Sequence, residues 1–194
     1  MSKNVKHTIP PRPSLKSLED KAVWLSFVLL AIGLHVFEAT LPSLGPWFKL
    51  GLANIMTLLA LVMLGARAAF MLAIARVIIG SIFIGTLFTP TFFISLAGAL
   101  TAATVLVVVY QMFPRMSLIA LSLLAAVAHM SGQFIAVETW FIQQPAIYYL
   151  LPPLLLLSCI SGWINGAISS YIWQRLKKER LCIIKMSSHS GLIN

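Results

Sequence analysis

Five polar side chains, Glu38, Lys49, Asn54, His129 and Gln133, stand in or beside long apolar runs. Ionisable and amide groups are costly near hydrocarbon and tend to be kept there for a task. An acid and a base can orient the charged parts of a ligand, while two amides and an imidazole supply hydrogen bonds. This is binding chemistry, not bond-making chemistry. Metal-dependent diphosphate chemistry needs clustered carboxylates around magnesium, and Asp20 is the sole aspartate. No Ser-His-Asp or Cys-His arrangement is evident, and no G-x-x-x-x-G-K-[ST] phosphate loop occurs. Catalysis by this chain alone is not expected, and no cofactor or metal is implied.

Each candidate also has a structural reading. Glu38 and Lys49 can form an ion pair across the first loop, Asn54 can clamp two helices, and His129 can be a packing histidine. Gln133, four residues beyond His129, lies on the same helical face and favours a polar pocket. Arg76 enters its apolar run by about 12 Å of helical rise. It reads as a cytoplasm-facing anchor or a buried ion-pair partner. Asn165 reads as an interhelical cross-link toward the inner half.

The elements that carry these groups are membrane helices. Of 194 residues, 59% are hydrophobic and only 10% charged, whereas a soluble domain carries about 25% charged residues. The mean hydropathy is +0.93. A helix needs roughly 20 apolar residues to cross a bilayer core, and six segments fit: 22–41, 50–65, 68–88, 91–112, 117–137 and 147–173. The expectation is an all-α integral membrane protein of six transmembrane helices. A disordered basic amino terminus (1–21) precedes the membrane domain (22–174), and a basic tail (175–194) follows it.

Charge sets the expected orientation. Ten of the 14 Lys and Arg residues lie in 1–21 and 175–194, which suits two ends held at the anionic cytoplasmic face. Arg67 and Arg115 fall in connections that share that side, and Lys49 is the only basic residue in the opposite loops. The net charge of +9 therefore points to lipid rather than nucleic acid. With this orientation, Glu38, Lys49, Asn54, His129 and Gln133 converge in the outer half of the bundle. Ser158, Gly162, Gly166 and Ser170 recur at every fourth position, as in closely approaching membrane helices. They serve packing within the chain or contact with a separate membrane subunit. Cys159 and Cys182 have no metal-ligand spacing.

Glu38-x-x-Leu41-Pro42 followed by Pro46-x-x-Lys49-Leu50-Gly51-Leu52-Ala53-Asn54-Ile55 resembles the signature of the Gx transporter family. That family is also labelled heptaprenyl diphosphate synthase component I. Arg76 with Gly80, Ser95 with Gly98, and Ala128-His129 followed by Gly132-Gln133 agree with it. Met130 stands where the resemblance leads one to expect asparagine. The family is similar to the substrate-binding S components of energy-coupling-factor importers. That likeness implies six helices, cytoplasmic termini, a small-molecule pocket near the outer face, and a coupling membrane subunit with separate ATPases.

The resulting expectation is a multi-pass substrate-capture subunit or transporter for a small metabolite, in a bacterial inner membrane. The family label implies an alternative, an accessory component of heptaprenyl diphosphate synthase. The association of such proteins with flavin attachment implies another, a membrane scaffold for a flavin-linked redox assembly.

Overall fold

In the computed structural model the described residues are 15–40 and 51–190, with side chains over 21–40 and 51–179. Among them six α-helices and one short 3-10 turn account for the regular structure. They are α1 (Leu15–Thr40), α2 (Leu52–Leu64), α3 (Ala66–Ile84), α4 (Pro90–Met112), α5 (Leu118–Trp140), the 3-10 turn Pro145–Leu150 and α6 (Leu151–Ser190). The punctuation is local chemistry. Pro90 opens α4, where its missing N–H costs nothing. The Ser117 hydroxyl accepts from the Ala120 amide to cap α5. Gly85 closes α3 in the left-handed region, with φ 76°.

Five stretches are long and apolar enough to cross a membrane: Lys21–Thr40, Ala66–Ile84, Pro90–Met112, Leu118–Trp140 and Pro145–Glu179. The segment expected at 50–65 is shorter than that. It forms a 13-residue helix, about 20 Å long against a hydrocarbon core of about 30 Å. Two other boundaries differ from the sequence expectation. The first helix begins at Leu15, inside the segment expected to be disordered, and the last continues to Ser190, well beyond 173. Hydropathy marks where a helix enters lipid, whereas Lys, Glu and Leu residues sustain helix outside it.

The short helix α2 is the centre of the bundle. It packs against α1, α3, α5 and α6, while α1–α3, α3–α4, α4–α5 and α5–α6 contacts enclose it. Eight of its 13 residues are buried, including every position from Ile55 to Leu61. A helix apolar on all sides suits such a place.

The helices alternate in direction, which separates two zones. The largest apolar cluster takes Val28, Ala31 and Ile32 from α1, Ile55, Met56 and Leu58 to Leu61 from α2, Leu72 from α3, Leu106 from α4 and Leu121 from α5. In α1, α3 and α5 these residues precede the polar ones in sequence, and in α2 and α4 they follow them. One end of the bundle is thus a packed apolar core and the other collects polar side chains. Large apolar residues such as Leu29, Phe37, Met71, Phe83 and Trp163 cover the outside, as lipid contact demands.

Close packing of α5 on α6 accounts for the small-residue series. A Cβ on Gly166 would stand 2.7 Å from the Ile119 backbone, and one on Gly162 would stand 2.8 Å from Ala126 Cβ. These glycines therefore serve contact within the chain.

Candidate functional site

The polar end of the bundle encloses a chamber of about 50 Å³. Four of the five residues singled out from sequence, Glu38, Asn54, His129 and Gln133, line it together. The fifth, Lys49, lies outside the described residues. His35, Arg76, Ser95, Ser158 and Ser161 complete the polar lining, so all six helices contribute.

Gly51 is the structural node. Its left-handed backbone, φ 74° and ψ 25°, begins α2 inside the bundle rather than at its edge. Helix amino termini leave amide donors unsatisfied, and here a carboxylate meets them. Glu38 accepts from the Gly51 amide and, at 3.4 Å, from that of Leu52. This is a favourable place for a negative charge. The Gly51 carbonyl accepts from Asn165 Nδ2 at 3.3 Å and from the Asn54 amide at 2.8 Å. Asn165 thus makes the cross-link expected of it, but beside Gly51 at the chamber end of the bundle, not toward the opposite half where the sequence reading put it. A side chain on Gly51 would stand 3.1 Å from Asn54 Nδ2 and 3.3 Å from Asn165 Nδ2.

Arg76 forms the floor. It is only 4% exposed, which excludes the cytoplasm-facing anchor among its two sequence readings. Its Nη2 donates to Asn54 Oδ1 at 2.5 Å, and its charge interacts with that of Glu38. Its Nε finds no acceptor among the described residues. A second void of about 10 Å³ lies beyond, sharing Asn54, Arg76 and Ala126 with the chamber. The Arg76–Asn54 pair therefore partitions two spaces.

Two glycines shape the walls. A Cβ at Gly80 would overlap the His35 ring, and one at Gly98 would stand 2.5 Å from Gln133 Cγ and 2.9 Å from His129 Cε1. The missing side chains seat these three polar groups against α3 and α4. Met130 is 4% exposed and puts a thioether in the wall. Glu138 is not among the residues that line the chamber.

His35, Arg76, Ser95, Ser158 and Ser161 were absent from the sequence-derived site. Arg76 carried a usable signal, since an ionisable group deep within an apolar run is a functional candidate on energetic grounds. Ser95 stood only in the family resemblance and Ser158 only in the small-residue series, and Ser161 carried no signal. Chemically, the chamber can hold a small polar group among donors and acceptors. Among the described residues no group of three or more His, Cys, Asp or Glu side chains could hold a metal ion.

Long apolar helices around a buried polar chamber define a multi-pass helical membrane protein. The chain belongs to the heptaprenyl diphosphate synthase component I family, whose model matches residues 27–172. No curated protein and no solved structure matches it.

Proposed function

We propose that the chain is a non-enzymatic membrane subunit that captures a small metabolite. In this reading α2 completes a six-span bundle whose two termini face the cytoplasm of a bacterial cell, and the chamber opens outward. The arrangement is that of an energy-coupling-factor S component, with a coupling membrane subunit and separate ATPases supplying energy. The observation that carries the reading is the convergence of polar side chains from six helices on one chamber. Asn54, His129 and Gln133 would hydrogen-bond the ligand, with Glu38 and Lys49 setting the charge around it.

Volume constrains how this works. About 50 Å³ admits a few waters or one small polar group, whereas pockets for whole metabolites span about 300–1,000 Å³. Either only the polar head of the ligand enters, or the helices part to admit more.

Thermal unfolding of the detergent-purified chain with a panel of vitamins, quinone precursors and amino acids tests the reading. A ligand at 100 times its Kd stabilises the folded state by about 2.7 kcal/mol. If no panel member shifts the transition while an intact family relative responds, the capture reading loses its support.

The family description favours a second reading, an accessory subunit of a prenyl diphosphate synthase. It predicts co-purification with a soluble prenyl synthase and altered product length in its presence. Neither outcome is expected of a capture subunit.

A further inference from the structure

The charge of the captured group can be argued from the chamber itself. Burying a guanidinium is costly unless its charge and its donors are matched. Arg76 is 4% exposed and lines the chamber. Asn54 takes one of its donors, while Nε–H has no acceptor among the described residues. A planar donor edge of this kind suits a carboxylate or phosphate oxygen. Glu38 is badly placed to recruit a cation. Its carboxylate already accepts from the Gly51 and Leu52 amides, and any cation beside it would also meet Arg76.

We infer that the chamber takes an anionic group, a carboxylate or phosphate, on the Arg76 guanidinium, and that Glu38 is the internal negative charge against which this group competes. The inference rests on the capture reading and names the ligand chemistry of the same site. Glu38 offsets the Arg76 charge when the chamber holds no ligand, and it weakens the hold on an incoming anion. It thereby keeps binding reversible. Small size fits the role, because the chamber accommodates a head group and not the body of a metabolite.

The test uses the full chain in detergent and follows thermal unfolding at constant sodium chloride. The probes are acetate, inorganic phosphate, neutral acetamide and methylammonium. Wild type should be stabilised by acetate and phosphate, and not by acetamide or methylammonium. Glu38→Gln retains an oxygen for the Gly51 amide but removes the competing charge. It should lower the half-saturating acetate concentration at least tenfold, the change expected on removing a like charge about 10 Å away at an effective dielectric of about 20, and more if the two lie closer. Arg76→Gln should abolish the difference between acetate and acetamide. Should that variant fail to fold, the Glu38→Gln titration still decides.

Stabilisation by methylammonium or acetamide equal to that by acetate overturns the inference, as does weaker acetate binding in Glu38→Gln. If the four probes are silent while the metabolite panel responds, the anion inference falls and the capture reading stands. Silence from both removes both.

Discussion

Arg76 donates through Nη2 to Asn54 Oδ1 at 2.5 Å, and this bond joins the third helix to the start of the second at the chamber floor. The relationship is asymmetric in energy. Asn54 is a neutral amide that can be exchanged, whereas Arg76 carries a charge that cannot be left without partners so deep in the bundle.

Asn54→Leu should therefore destabilise the chain by about 2–3 kcal/mol, the range for a lost hydrogen bond to a charged group together with its desolvation. Equilibrium unfolding in mixed micelles would measure it. A loss below about 0.5 kcal/mol, typical of surface changes, would mean that water replaces Asn54 without cost.

Gly51→Ala should cost about 1–2 kcal/mol from the left-handed backbone alone, with φ at 74°. Crowding by the Asn54 and Asn165 amides, 3.1 and 3.3 Å from the added carbon, should raise that cost. The same unfolding assay reads it. Unchanged stability would refute the role of Gly51 as the node of α2.

Gly98→Ala and Gly33→Ala form a matched pair. At Gly98 the new carbon would press on Gln133 and His129, while at Gly33 it meets nothing within 4 Å. The first should lower the unfolding temperature and weaken binding of any captured ligand. The second lies within helix α1 and should be neutral or stabilising by up to about 1 kcal/mol, because alanine is the better helix former.

Gly166→Val tests whether the small-residue series serves α5 or another subunit. Contact with the Ile119 backbone predicts an overpacking cost of about 1–3 kcal/mol in the isolated chain. A face reserved for a separate subunit would leave the isolated chain unchanged and lower only complex yield.

The proposed sidedness is open to cysteine labelling in a background lacking Cys159 and Cys182. Thr139→Cys should react with an impermeant maleimide from outside intact cells. Arg115→Cys and Lys178→Cys should react only after permeabilisation. Thr139 and Lys178 reacting from the same side would rule out the topology.

Much of the candidate site was legible from residue types alone. Glu38, Asn54, His129 and Gln133 stand out because polar groups in apolar runs are rare and energetically conspicuous, and the structure brings all four to one chamber. Helix periodicity was of less use. In lipid both faces of a helix are apolar, so the pattern does not reveal which face turns inward. Arg76 illustrates the consequence: its depth was readable, but its direction was not.

By itself the amino-acid order determined the helical membrane class, four of the helices (α2 to α5) within a few residues, the family and most of the polar set. These follow from local composition and from the length a helix needs to cross hydrocarbon. Tertiary structure alone decided that α2 is central, that Glu38 meets its first amides, and that Arg76 closes the floor against Asn54. Those relations join residues 13 and 22 positions apart on different helices. Only the packing of helices that are apolar on every side fixes their mutual rotation, and that rotation carries no signature along the chain.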